Sequence, residues 1–212
     1  VDFGDLIMRP ALLLESDADR NAGSGLYALT YNSWTDALTN TIGAQGFVPL
    51  DINPLFSAAG FTFDGAAYRL LLESNADRNA GSELYQVTYN TWNDLLSNTI
   101  ATQGFLPLDI NPLFGAAGLF FDGAYRMLLE SNADRNSGSE LYALTYNTWN
   151  DVLTNTIASQ GFIPLDLNPL FSAADIAYDG TAYRLLLESN ADRNSGSEIY
   201  QVTYNTWNDL LT

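Results

Sequence analysis

The stretch ESNADRNAGSELYQVTYNTW, residues 73–92, occurs four times in this chain with small changes, and this repetition decides the fold. The glutamates that open the four copies lie 57 or 58 residues apart, and the tryptophans that close them have the same spacing. Self-similarity at a fixed period is the sequence signature of a repeat architecture. We therefore predict one repeat domain over residues 1–212. Its units are approximately 1–59, 60–116, 117–174 and 175–212.

Each unit contains a predicted β-meander around the repeated loop. Asp64-Gly65 separates two apolar runs, and Asp-Gly between such runs is a strong signal for a hairpin turn. The run at 68–73 is apolar at most positions, which is typical of a strand in a sheet covered on both faces. Beyond the loop, residues 84–90 alternate between apolar and polar side chains, as β-strands do.

The segment that contains each tryptophan has two possible structures. Residues 91–98, TWNDLLSN, carry a helix-capping pattern at Thr91 and Asp94, followed by apolar residues at helical spacing. The same residues can instead form a fourth strand after a tight turn, and we favour the strand. With four strands each unit would be a meander of the kind used as a propeller blade. The apolar segment GFLPLDINPLF at 104–114 recurs after the first three units and is expected to connect modules.

The order of these motifs resembles a known kind of repeat. A DG turn, a tyrosine strand, a variable loop, then ELY, TYNTW and a leucine resemble the order in kelch-type propeller repeats, and G-x-LY followed by Trp is similar to tachylectin-type sugar-binding propellers. The second strand ends in Glu73-Ser74, where kelch repeats have a double glycine. The resemblance implies an all-β chain that forms a small four-bladed β-propeller. The alternative is an open linear repeat array or fibre segment, with a short helix in each repeat.

The composition excludes several kinds of function. A net charge of −17 argues against nucleic-acid and anionic-membrane partners, because both require basic patches. The chain has no Cys, His or Lys, which removes disulfides, thiolate zinc sites, imidazole bases and Schiff-base lysines. No apolar run reaches the roughly 18 residues of a membrane span. A catalytic carboxylate pair would break the internal symmetry, and no pair here does, so we predict no enzyme.

The repeated loops are candidate calcium sites. Each loop has Asp or Asn at alternate positions followed by a turn glycine, and three loops add a glutamate, as short calcium loops position oxygen ligands. An arginine inside every loop opposes a cation, and the same residue types form ordinary turns, so we favour a structural loop with calcium as the alternative. The candidate ligands are Asp17, Asp19, Asn21, Asn75, Asp77, Asn79, Glu83, Asn132, Asp134, Asn136, Glu140, Asn190, Asp192, Asn194 and Glu198.

The tryptophans are candidate ligand-binding residues, one in each unit. Aromatic rings stack on sugars, and repeated weak sites produce avidity. A tryptophan in the same place in every unit is also typical of a wedge in the core or between modules, and we favour that role. The four residues are Trp34, Trp92, Trp149 and Trp207.

A tyrosine–arginine pair recurs at the start of the second strand. Its carboxylate partner is expected across strands or in another unit. Glu73, on the same strand as Arg69, would lie about 13 Å away. The pairs are Tyr68-Arg69, Tyr125-Arg126 and Tyr183-Arg184.

These patterns predict a non-enzymatic extracellular or cell-surface protein that acts as a multivalent binding module for a carbohydrate or protein ligand. The alternative is a structural subunit of an extracellular fibre or surface array, with other copies of the chain as partners. The chain begins at Val1 rather than Met, which indicates a processed chain or a fragment.

Overall fold

A computed structural model describes residues 11–15, 24–52, 56–74, 84–108, 114–131, 139–167, 171–189 and 199–212. Four antiparallel sheets follow one another along the chain, one in each repeat. The strands are β1 Ala11–Glu15, β2 Ser24–Thr30, β3 Ala44–Ile52, β4 Phe56–Phe63, β5 Tyr68–Ser74, β6 Leu84–Tyr89, β7 Thr102–Phe105, β8 Phe114–Phe121, β9 Tyr125–Ser131, β10 Ser139–Tyr146, β11 Ser159–Leu167, β12 Phe171–Tyr178, β13 Tyr183–Ser189 and β14 Ile199–Tyr204. The helices are α1 Trp34–Leu38, α2 Trp92–Ser97, α3 Trp149–Thr154 and α4 Trp207–Leu211.

The strands of each sheet follow one another in space as they do in sequence. The two middle sheets have four strands each, β4 to β7 and β8 to β11, and the first and last sheets have three, β1 to β3 and β12 to β14. Strands β5 and β9 are buried along most of their length on both faces. The predicted all-β fold of four meander repeats is confirmed.

The predicted DG turn joins the first two strands of the second unit. Oδ1 of Asp64 accepts hydrogen bonds from the backbone N–H groups of Ala66 and Ala67 at 2.9 and 2.8 Å. Gly65 has a φ of 89°, a left-handed conformation that glycine adopts without steric cost. The two strands that this turn joins pair Arg69 with Thr62, so the arginine lies close to Asp64.

The segment at 91–98 forms a short helix, so the strand that we favoured there is wrong. The Thr91 side chain accepts a hydrogen bond from the backbone N–H of Asp94 at 3.1 Å and caps the start of α2. Asn98, at a φ of 53°, ends the helix in the left-handed conformation. Local capping at both ends therefore decides this segment in favour of the helix.

The fourth strand comes from the connector segments instead. Strands β3, β7 and β11 pair with β2, β6 and β10 at the outer edge of their sheets. Each contains the Gln-Gly-Phe sequence that precedes an aliphatic residue and a proline. The segment that we expected only to connect modules thus supplies the outermost strand of three sheets.

Contacts link every unit to two neighbours. β4 packs against β1 and β8, and β8 packs against β12. Each of three apolar clusters joins two successive units, as Leu71 and Met127 do in the cluster between the second and third sheets. The fourth unit contacts the first, because Trp34 Nε1 donates a hydrogen bond to Gln201 Oε1 at 3.2 Å. Four successive antiparallel sheets with these contacts are consistent with the predicted propeller blades.

Candidate functional site

The recurrent arginine lies in a polar cluster within its own unit. Arg69 Nε donates to Asp64 Oδ2 at 2.7 Å, and Arg69 Nη1 donates to Thr88 Oγ1 at 3.0 Å. The hairpin turn positions the aspartate, and strand β6 positions the threonine opposite the arginine. The carboxylate partner therefore comes across the hairpin, as expected, but from the DG turn and not from Glu73.

The next unit completes the same cluster. The hydroxyl of Tyr125 donates to Asp64 Oδ2, and the Arg69 guanidinium lies 4.7 Å from the centre of the Trp149 ring. At this distance the cation and the aromatic face attract one another. One arginine thus links a buried carboxylate of its own unit to an aromatic ring of the next, and we call this set of residues the inter-unit joint.

Equivalent contacts form between other units, but some junctions lack one or more members of the inter-unit joint. Between the third and fourth units Arg126 lies 4.6 Å from Trp207, and Tyr183 donates to Asp122 at 2.8 Å. Between the fourth and first units Arg184 lies 5.5 Å from Trp34. In the first unit, Ala11 occupies the position that Arg69 has in the second unit, so this position carries no arginine.

The electrostatics of the joint favour an ionised aspartate. Burial works to raise the pKa of Asp64, but hydrogen bonds from Tyr125, from two backbone N–H groups and from Arg69 outweigh it and lower the pKa. For Asp179 the same opposition lowers the pKa to about 2, with Thr181 and Arg184 as its side-chain donors. Burial and the Asp64 hydrogen bond raise the pKa of Tyr125, which stays a neutral donor.

All four predicted tryptophan sites are half-buried at contacts between units or strands. Arginines of the preceding unit cover one face of Trp149, Trp207 and Trp34. Trp92 contacts Tyr68 with ring centres 5.7 Å apart. This placement agrees with a wedge between modules, and a role of these rings in ligand binding stays a prediction.

A set of exposed aromatic residues escaped the sequence analysis. Phe47, Phe105 and Phe162 are 73%, 59% and 57% exposed, one on each outer strand. Each meets a tyrosine of the neighbouring strand edge to face, with ring centres 4.8 to 4.9 Å apart. The tyrosine partners are Tyr27, Tyr85 and Tyr142. The recurrence of Gln-Gly-Phe at the start of the connectors was the available signal, and we expected these segments only to connect modules.

The candidate calcium ligands fall almost entirely outside the described residues. Glu140 belongs to strand β10, and the other fourteen lie in the segments that are not described. Within the described ranges, no three His, Cys, Asp or Glu residues are grouped as they would be around a metal ion. The calcium prediction for the loops therefore stays a prediction.

One acidic residue breaks the internal symmetry near the centre of the molecule. Asp175 occupies the position of Gly60 and Gly118 beside a bulge in the innermost strand. It lines a small cavity bordered by residues of all four units, including Ala11, Phe61 and Phe120. A Cβ atom at Gly118 would lie 2.9 Å from Asp175 Oδ1, so glycine there is needed for the close approach of the carboxylate.

Neither a protein-family model nor a curated protein matches this chain. Among the helices that the structure describes, none is long and apolar enough to cross a membrane.

Proposed function

We propose that this protein is a non-enzymatic, multivalent binding module that works outside the cell or at its surface on a carbohydrate or protein ligand. The observation that carries the proposal is the set of three equivalent, exposed phenylalanines, each supported edge to face by a tyrosine. Exposed apolar patches mark interaction surfaces, and three identical weak sites on one body bind a multivalent ligand with avidity.

The chemistry of these sites favours a ligand with apolar faces. Phe162 and Tyr142 form a rigid aromatic corner that offers large contact area at small entropic cost. Apolar side chains of a protein and the C–H faces of a sugar ring both fit such a corner. The chain's charge of −17 favours neutral or cationic ligands over anionic ones.

A triple variant tests the proposal directly. Phe47→Ala, Phe105→Ala and Phe162→Ala together should abolish binding to multivalent glycan or protein arrays, and each single change should weaken the apparent affinity by about tenfold. The matched control is the triple replacement of Thr41, Thr99 and Thr156 by alanine, since these exposed threonines, like the phenylalanines, occur once in each of the first three units. Equal array binding by the aromatic triple variant and the parent chain would refute the proposal.

The alternative function is a structural subunit or segment of an extracellular fibre or surface array. The exposed phenylalanines Phe47, Phe105 and Phe162 also favour it, because exposed apolar patches mark contacts between copies of a chain as well as ligand sites. Negative-stain microscopy should then show filaments with a repeat related to the unit size. A compact monomer in small-angle scattering at all concentrations would contradict this alternative.

A further inference from the structure

Two oxygen atoms beside the central cavity lack a hydrogen-bond donor within the described part of the chain. Asp175 Oδ1 accepts a hydrogen bond from the backbone N–H of Ile176 at 2.8 Å, and Asp175 Oδ2 accepts none from the described residues. Thr62 borders the same cavity and is only 7% exposed, and its hydroxyl also has no hydrogen-bond partner among these residues. Because buried polar groups are nearly always hydrogen-bonded, a group in the cavity that donates to both oxygen atoms would satisfy them.

The carboxylate is an addition to the repeat and not a requirement of its packing. Gly60 and Gly118 occupy the equivalent positions of β4 and β8, so both strands form their bulges without an acidic side chain. At Gly60 a side chain has no room, because a Cβ atom would lie 2.5 Å from the backbone nitrogen of Leu119. Asp175 has room because the residue that it approaches is Gly118. A carboxylate in such a place destabilises the fold unless a cation or hydrogen bonds compensate for its lost hydration.

The walls and the size of the cavity favour a small organic cation. Its volume is about 40 Å³, which is room for about one to three non-hydrogen atoms. Phe61, Phe120 and Tyr178 line it, and aromatic rings attract ammonium groups, whereas the carboxylate of Asp175 disfavours anions. A divalent metal ion requires about six oxygen ligands, and within the described ranges no three His, Cys, Asp or Glu residues form a group that could hold one.

We propose that this cavity binds a small protonated primary amine of the size of methylammonium. The ammonium group donates hydrogen bonds to Asp175 Oδ2 and to the Thr62 hydroxyl, and the methyl group contacts the aromatic rings. The chain's net charge of −17 attracts cations and so favours their entry. The inference does not depend on the proposed function, because the cavity lies between β4, β8 and β12 and the exposed phenylalanines lie on the outer strands.

Thermal unfolding of the full chain at pH 8 tests the proposal with methylammonium chloride as the ligand. Burial raises the pKa of Asp175 to about 8, so about half of the molecules have an ionised carboxylate at that pH, whereas methylammonium, like a lysine side chain, stays protonated. An ion with two non-hydrogen atoms can reach a Kd of about 10 mM. In about 100 mM methylammonium chloride the Tm should therefore be about 4 °C higher than in the same concentration of sodium chloride.

A second measurement reports on the surroundings of the bound ion. In NMR titrations, the methyl signal of isotope-labelled methylammonium should shift saturably at one ion per chain, because the ring currents of the aromatic walls act on it. Tetramethylammonium chloride should not raise the Tm and should not compete with methylammonium, since this ion is too large for the cavity and has no N–H donor.

Variants of the two oxygen-bearing residues show whether the ion binds in this cavity. Asp175→Asn should abolish the extra stabilisation by methylammonium, and Thr62→Val, which keeps the shape of the side chain, should weaken binding about tenfold. Asp94→Asn is the control, because it removes the same charge from α2 outside the cavity and should leave the effect of methylammonium unchanged. Circular dichroism verifies that every variant is folded.

A Tm increase that potassium chloride or sodium chloride matches would overturn the proposal. A response of the Asp175→Asn variant equal to that of the parent chain would overturn it as well. An unchanged methyl signal would show that no amine enters the cavity and that water satisfies the two oxygen atoms, which is the third contradicting result.

Discussion

At the scale of single residues, the arginine of the inter-unit joint connects a carboxylate of its own unit to a tryptophan of the next. Arg69 pairs with an aspartate that is almost fully buried and stacks on a tryptophan of the next unit. A buried carboxylate that loses its partner is costly, because its charge remains in a poorly solvated place. The inter-unit joint should therefore stabilise the fold in two ways. The arginine pairs with the buried carboxylate, and it stacks on the tryptophan ring.

Replacing Arg69 by methionine separates the charge from the packing. We expect Arg69→Met to lower the free energy of unfolding by about 2–4 kcal/mol, since Asp64 stays buried and the cation–π contact is lost. Urea unfolding followed by tryptophan fluorescence measures the change. Arg184→Met is the internal control and should cost less, because Arg184 lies farther from its tryptophan, at 5.5 Å. Equal losses in the two variants would contradict this account of the joint.

Asp175 makes stability depend on pH. Burial raises its pKa to about 8, opposed by a hydrogen bond from the backbone N–H of Ile176. The unfolded chain releases this proton near pH 4, so between about pH 4 and pH 8 the folded state holds a proton that the unfolded state has lost. The stability that the fold gains from holding this proton is therefore fully present below about pH 4 and is lost as the pH rises towards 8.

Asp175→Asn should remove that dependence. At pH 8 the variant should be more stable than the parent by about 1 kcal/mol or more, and the difference should shrink towards pH 5. Thermal unfolding at both pH values measures it. Parallel stability curves for the two proteins between pH 5 and pH 8 would show that Asp175 does not titrate in this way.

At the scale of elements, an asparagine ends each of the first three helices in the left-handed conformation. Asn40, Asn98 and Asn155 have φ values of 52° to 53°. The Asn98 side chain also accepts a hydrogen bond from the Tyr89 hydroxyl at 2.9 Å. Asn98 thus adopts the backbone conformation that the turn after the helix requires, and its side chain attaches the end of the helix to the sheet.

Two replacements of Asn98 distinguish these roles. Asn98→Gly keeps the left-handed backbone and loses the hydrogen bond, so it should cost about 1 kcal/mol. Asn98→Ala loses both and should cost about 1 kcal/mol more, because alanine is strained at this φ. Denaturant unfolding of both variants gives the two contributions, and an alanine variant as stable as the glycine variant would exclude backbone strain.

At the scale of the whole molecule, three contacts between units contain an arginine–tryptophan pair, and the pair between the fourth and first units is the loosest of these. The Arg184 guanidinium lies 5.5 Å from the centre of the Trp34 ring, against 4.6 and 4.7 Å in the other two pairs. Elements with few buried contacts open locally before the rest of a fold. This contact should therefore open before the other two that contain an arginine–tryptophan pair.

Amide hydrogen exchange should show this order. Backbone amides of β14 should exchange faster than those of the equivalent strands β6 and β10, which outer strands cover. Trp34→Ala should accelerate exchange in β14 further and leave β6 unchanged. Mass-spectrometric exchange of peptic peptides measures both, and uniform protection of the three strands would contradict the prediction.

Much of the fold followed from local patterns in the sequence. The Asp64-Gly65 turn, the apolar strand at 68–73 and the alternating strand at 84–90 each depend on neighbouring residues, and all three form as predicted. The helix at 92–97 was misassigned although its capping residues were visible. The period of the repeat, which needs no tertiary information, already predicted four equivalent sheets.

Tertiary structure decided which aromatic side chains are exposed. Phe105 is exposed and Trp149 is half-buried under Arg69, and only the placement of the tryptophan was expected from the sequence. Exposure depends on which strand or unit covers a side chain, and that cover comes from residues far away in sequence. The sequence by itself determined the repeating elements, and only their packing decided which aromatic rings are covered by another unit and which stay exposed.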